Sequence, residues 1–216
     1  MKRGVIFDMD GVIVLTEQAH WQSWLAVAEA RGVTLQYSTF LSCFGRVNPD
    51  CIPILFGSGI SDKESTEIAD RKEAAFRDII RSNVPLAPGI ESLLVKLKSR
   101  GAGMAVGSSA PPENVNLVLD AGHLRSWFDA VVDGTQVKQG KPAPDVFLRA
   151  AMLMDVPPAR CAVIEDAPTG IQAAVAAGML AVGVATTHRA DELLAAGAAV
   201  CFPTLADVPL NTLMGE

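Results

Sequence analysis

The chain has 216 residues, of which 50% are apolar, 19% charged and 6% aromatic. That length holds one domain, or one domain with a substantial insertion, and the composition excludes global disorder. Lys and Arg number 18 against 24 Asp and Glu, a net charge of −6, which speaks against a nucleic-acid binder but leaves room for a small anionic ligand held by a few local cations.

The first element is a short apolar strand, Val5-Ile6-Phe7, ending at the acidic pair Asp8 and Asp10. A long interval follows, far more than one crossover helix needs. Within it, helices are expected over 20–30, 38–44 and 62–81. Leu25, Ala28 and Glu29 share one face of the first, and the alternating acids and bases of the last mark it as a solvated helix. From there strand and helix alternate. A helix from Ile90 starts after Pro88-Gly89 and stops at Gly101. Met104-Ala105-Val106 ends in Gly107-Ser108-Ser109, and a helix over 114–121 follows Pro111-Pro112. Ala130-Val131-Val132 precedes a helix over 145–154, and Cys161-Ala162-Val163-Ile164 ends in Glu165-Asp166. A helix over 169–177 stops at Gly178, then a strand covers 180–184 and an edge strand 199–202. Short, nearly continuous apolar runs are strands buried on both faces. The pattern predicts an α/β fold: a doubly wound parallel, Rossmann-like sheet of residues 1–15 and 84–216, with an inserted α-helical cap of residues 16–83 hinged near Leu15-Thr16 and Val84-Pro85.

Cys43, Cys51, Cys161 and Cys201 form no CxxC pair and no zinc-type cluster, so they read as reduced packing residues. The apolar run after Met1-Lys2-Arg3 breaks at Asp8, too early for a signal peptide, and no stretch reaches membrane-spanning length. A cytoplasmic protein with no membrane or nucleic-acid partner is expected; the sequence does not give its oligomeric state.

In open α/β sheets, ligands sit beyond the carboxyl ends of the strands. Here those ends carry Asp8, Asp10, Ser108, Ser109, Glu165 and Asp166, with Lys141 in a loop entering a helix. Asp8 and Asp10 point to the same side and repel, so a cation or proton must sit between them. Oxygen ligands with no His or Cys among them suit Mg²⁺.

Val5-Ile6-Phe7-Asp8-Met9-Asp10-Gly11-Val12 resembles the first motif of the haloacid dehalogenase-like phosphohydrolases. Ser108 matches their second motif, Gly140-Lys141-Pro142 the third, and Ile164-Glu165-Asp166 with Thr169-Gly170 the fourth. The helical insertion, with His20, Trp24 and the Gly45-Arg46 turn, is similar to that of the branch containing β-phosphoglucomutase and sugar-phosphate phosphatases. The resemblance implies that Asp8 is a nucleophile forming an aspartyl-phosphate and that Asp10 is the general acid and base. It implies that Mg²⁺ is held by Asp8, the carbonyl of Asp10 and Asp166, with Glu165 a further ligand or an orienting residue. Ser108 would donate to a phosphoryl oxygen and Lys141 would balance charge. His20, Trp24, Arg46 and Ser109 would meet the substrate, a small phosphorylated metabolite.

The sequence departs from the mutase pattern in two places. Ala110-Pro111-Pro112 stands where mutases carry a lysine and an asparagine for the distal phosphate, and Asn48 stands where they carry a cap arginine. The expectation is therefore an Mg²⁺-dependent phosphatase acting on a sugar phosphate. The alternatives are a phosphosugar mutase, a metal-independent haloacid dehalogenase, which needs no acid at position 10, a phospho-accepting regulatory module, and a non-catalytic sugar-phosphate binder.

Overall fold

The computed structural model describes residues 2–215. Strand β1 (Gly4–Phe7) leads directly into the helical insertion: α1 (Glu17–Ala30), α2 (Tyr37–Cys43), α3 (Asn48–Phe56) and α4 (Asp62–Ile80). The chain returns through α5 (Ile90–Ser99), β2 (Gly103–Gly107), α6 (Pro112–Ala121), β3 (Ala130–Val132) and α7 (Asp145–Leu153). It ends with β4 (Cys161–Glu165), α8 (Pro168–Ala176), β5 (Leu180–Val184), α9 (Ala190–Ala195), β6 (Val200–Phe202) and α10 (Leu210–Met214).

All pairings in the sheet are parallel, in the order β3-β2-β1-β4-β5-β6. The period of two along each strand divides the core into two layers. Val5 and Phe7 join Met104, Val106 and Ile164 on the face covered by α5 and α6. Ile6, Ala105 and Val163 face the opposite layer, which contains Phe147 of α7 and Ile171 of α8. Because β1 lies in the interior of the sheet with every residue buried, it is a rigid mount for whatever follows Phe7.

The insertion has an apolar cluster of its own, including Trp24, Phe40, Cys43, Ile52 and Ile68. It is not sealed off from the sheet, since Phe76 and Ile80 of α4 are buried in the core layer that contains Phe7. Where the insertion begins and ends, the two linkers pair with each other. Leu15 N donates to Pro85 O at 2.8 Å, and Val14 bridges Leu86 in antiparallel fashion.

Three local expectations differ from the structure. The buried face of α1 carries His20, Ser23, Trp24, Val27 and Ala28, whereas Leu25 and Glu29 are exposed. The sequence reading places no helix over 48–56, yet α3 forms there: Pro49 sits in the first turn, and burial of Ile52 and Leu55 outweighs the interior Pro53. The charges of α4 are not all solvated: Lys72 and Glu73 are only 3% and 7% exposed. The short helices α9 and α10 were also not anticipated.

Candidate active site

The register of the sheet assembles the site. Phe7 lies opposite Val106 on one side and Ile164 on the other, so Asp8 emerges between the ends of β2 and β4. Its own N–H donates to Ile164 O at 3.0 Å, and Ser108 N donates to Val132 O at 2.9 Å, which fixes the first residue past each strand.

Behind Asp8 lies a fully buried ionic cluster. Lys141 Nζ donates to Asp8 Oδ1 at 2.5 Å and to Glu165 Oε1 at 2.6 Å. Glu165 Oε2 accepts from the backbone N–H groups of Asp166 and Ala167, both at 2.8 Å, so each of its oxygens has a donor. A side chain at Gly170 would overlap the Glu165 carboxylate, so the glycine of the fourth motif is there for clearance. Gly11 has φ +84°, and a Cβ there would overlap Asp166 Oδ2. That oxygen is buried with no hydrogen-bond partner among the described residues.

Carboxylate oxygens of Asp8, Glu165 and Asp166 all lie within 4.8 Å of one another. Burial, together with the charges of Glu165 and Asp10, pushes the Asp8 carboxyl up to about 7 in spite of Lys141. Asp166 is likewise raised, by burial and by Glu165 and Asp8. Burial favours a neutral amine at Lys141, but Asp8 and Glu165 together raise it above its ordinary value, so it stays protonated. Three acids against one lysine leave a surplus of buried negative charge, and an orphaned carboxylate oxygen faces it. That donor set fits a hard divalent cation.

Asp10 is treated differently. Its Oδ1 accepts from Thr16 Oγ1 at 2.5 Å and lies 3.1 Å from His20 Nε2. His20 Nδ1 lies 2.7 Å from Lys72 Nζ. An ammonium can only donate, so Nδ1 accepts and Nε2 carries the proton that it gives to Asp10. Burial works to raise the Asp10 carboxyl, but His20 and Thr16 hold it below its ordinary value. His20 is kept in this pose by stacking on Phe76, with ring centroids 4.0 Å apart and planes at 13°.

Of the residues singled out in the sequence, Asp8, Asp10, His20, Trp24, Arg46, Ser108 and Ser109 line one cavity between insertion and sheet. Lys141, Glu165 and Asp166 stand behind Asp8. Ser108 Oγ accepts from Ala110 N at 3.0 Å, leaving its hydroxyl hydrogen for a ligand. Trp24 contributes its ring, 5.4 Å from Lys72 Nζ. Sequence reasoning passed over Thr16 as a hinge residue, and Lys72 and Glu73 as solvated charges. The available signal was spacing: Ile68, Lys72 and Phe76 are four residues apart on one stripe of α4, and an ionisable residue within an apolar stripe is a buried one.

This geometry has parallels among known proteins. A family model for haloacid dehalogenase-like hydrolases matches residues 2–178. A β-phosphoglucomutase of Bacillus subtilis (strain 168) is 36% identical over 189 residues, covering 84% of this chain and 83% of its own. A fructose-1-phosphate phosphatase of Escherichia coli (strain K12) is 36% identical over 181 residues, covering 84% of this chain and 95% of its own. The crystal structure of a β-phosphoglucomutase from Clostridium difficile superposes with a TM-score of 0.88 at 28% identity, covering 98% of this chain and 95% of the other. The order of the strands, the buried lysine–carboxylate cluster and the helical insertion thus have one explanation, which is that the chain is an enzyme of the haloacid dehalogenase-like hydrolase family.

Proposed function

We propose that the protein is an Mg²⁺-dependent phosphatase that hydrolyses a small phosphomonoester, a sugar phosphate, through an aspartyl-phosphate. The observation that carries this reading is the opposite treatment of two neighbouring carboxylates on one cavity wall. Asp8 is fixed by Lys141 at the end of the central strand, while Asp10 is set apart on Thr16 and His20. A nucleophile and an acid–base group need such separate surroundings.

In this reading Asp8, ionised once a cation offsets its acidic neighbours, attacks phosphorus, and the bond to the leaving oxygen breaks as Asp10, which takes up a proton when the phosphate dianion enters beside it, gives that proton to the oxygen. Asp10, now a carboxylate held by His20, takes a proton from water as the water attacks the aspartyl-phosphate, and inorganic phosphate leaves. Ser108 and Lys141 supply a hydroxyl donor and a fixed positive charge for the phosphoryl oxygens. Mg²⁺ would be held by Asp8, Asp166 and the carbonyl of Asp10, with Glu165 orienting Lys141 and the loop after β4. When bound, it supplies the positive charge that lets a carboxylate approach a phosphate dianion. His20, Trp24, Arg46 and Ser109 belong to the wall that meets the substrate. The division into a catalytic core of residues 1–15 and 84–216 and a cap of residues 16–83 is part of this reading; the pairing of Leu15 with Pro85 supports it.

Hydrolysis is favoured over phosphoryl transfer between sugar hydroxyls because Asn48, Ala110 and Pro111 line the cavity where a mutase needs cations for a second phosphate. The test follows both products from β-glucose 1-phosphate with a trace of glucose 1,6-bisphosphate, with and without Mg²⁺. Free phosphate without isomerisation is expected. Glucose 6-phosphate with little free phosphate would establish the mutase instead.

A further inference from the structure

Asp10 and Asp166 follow different strands, and a cation shared between their loops is sensitive to the distance between them. A third loop, the one after β5, spans that distance. Gly183 of β5 lies opposite Glu165, the last residue of β4, so Val184 runs past the end of its neighbour. On its other side Val184 lies opposite Phe202 of β6, and Ala185 N donates to Phe202 O at 2.8 Å. Thr186, Thr187 and His188 therefore overhang the loop that carries Asp166. The far end of this overhang is tied as well, since Arg189 N donates to Glu192 Oε2 at 3.2 Å at the start of α9.

Two side chains of the overhang reach two different loops. Thr186 Oγ1 donates to Gly11 O at 2.5 Å, in the turn after β1. His188 Nδ1 lies 3.1 Å from Asp166 O, in the loop after β4. A carbonyl oxygen only accepts, so Nδ1 carries the hydrogen of that bond. The two points held in this way abut each other: a Cβ on Gly11 would fall 1.9 Å from Asp166 Oδ2, the buried oxygen without a partner. Burial, Glu165 and Asp8 raise the Asp166 carboxyl, and the Thr187 hydroxyl works against that rise, so a third side chain of the same loop meets the carboxylate.

The bonds from Thr186 and His188 end on main-chain carbonyls, so they leave the buried carboxylates as they are. What they fix is position. Gly11 directly follows Asp10, whose carbonyl is one ligand in the proposed Mg²⁺ set, and Asp166 is another. Mg²⁺ tolerates little departure from its short oxygen distances, so a few tenths of an ångström between these loops bear on its affinity.

We infer that Thr186 and His188 are positioning residues for the cation: from one loop they hold the turn after β1 and the loop after β4 at the spacing the ion requires. The inference rests on the Mg²⁺-dependent reading of the function and goes beyond it by assigning residues that set the ion's affinity.

The test is calorimetric titration of the chelator-treated full chain with Mg²⁺ alone, with no substrate present. Thr186→Val and His188→Ala each remove one donor, and each is expected to weaken Mg²⁺ binding about tenfold or more. Thr186→Ser keeps the hydroxyl, and His188→Asn can set an amide nitrogen where Nδ1 stands. These two are expected to bind within about threefold of the wild type. A smaller loss in the folded Val and Ala variants, or an equal loss in the Ser and Asn variants, overturns the inference. The two positions are separate, so if one truncated variant does not fold the other decides; failure of both to fold would make the loop purely structural and also overturns it. A wild type that takes up no Mg²⁺ overturns the Mg²⁺-dependent reading and this inference with it, whereas a wild type and truncated variants that bind equally overturn the inference alone.

Discussion

Asp8 and Asp10 are separated by one residue, yet their surroundings push the two carboxyls in opposite directions. Asp8 is raised to about 7 by burial among acids, while Asp10 is lowered by His20 and Thr16 despite its burial. Asp8→Asn keeps the volume and loses the nucleophile, so phosphate release is expected to vanish while circular dichroism and the melting profile stay those of a folded protein. His20→Asn is expected to act through Asp10. Without the imidazole, proton delivery suffers, so kcat for an alkyl phosphate is expected to fall about 10²-fold, with a much smaller fall for p-nitrophenyl phosphate, whose leaving group needs no proton. Equal losses on both substrates would show that His20 has another role. At Glu73, where burial works upward, Lys72, His20 and Asn48 depress the folded-state value below the ordinary 4.5, so its stabilising effect is complete above that pH and is lost as pH falls through the folded value. Thermal melting followed from pH 6 downward is therefore expected to show a shallower acid-side decline in Glu73→Gln than in the wild type.

Helix α4 does two jobs at once. Ile68 is buried in the insertion's own cluster, Phe76 and Ile80 in a core layer of the sheet, and Lys72 and Glu73 face the cavity between them. Phe76 is fully buried and stacks on His20, so Phe76→Ala is expected to cost about 3–5 kcal/mol in denaturant unfolding and to lower activity as well. A loss of stability with unchanged activity would separate the two jobs. This helix also shows where sequence reasoning stops. The strands were legible because each is a short apolar run; Asp8, Ser108 and Asp166 were legible as candidates because they directly follow such runs, and Lys141 because it stands in a short local motif in the loop before α7. The network of His20, Lys72, Glu73, Asn48 and Asn114 joins four helices distant in the chain. No spacing within one element reveals that Asn114 on α6 turns toward Glu73 on α4, and α3 stayed hidden because its stability comes from buried Ile52 and Leu55 rather than from helix propensity.

For the molecule as a whole, the buried acids are expected to make stability depend on a divalent cation. Asp8, Glu165 and Asp166 lie close enough to repel one another, and the buried counter-charge Lys141 is bonded to Asp8 and Glu165. A divalent ion bound only by the folded chain adds stability by mass action. Exhaustive chelation is expected to remove activity and lower the melting temperature, and added Mg²⁺ to restore both. A melting temperature indifferent to Mg²⁺ would place the ion elsewhere or nowhere.

The pairing of Leu15 with Pro85, and of Val14 with Leu86, brings the chain back beside the point where it left. For the sheet, everything between these residues amounts to one hairpin-sized excursion, however long the excursion becomes. Strand pairing between β1 and β2 is then insensitive to the length and sequence of what is spliced in, apart from the seam that Phe76 and Ile80 fill. The separation is partial: Asp8, Ser108, Lys141 and Asp166 stay with the sheet, while His20, which bonds Asp10, and Trp24 and Arg46, which line the cavity, travel with the excursion.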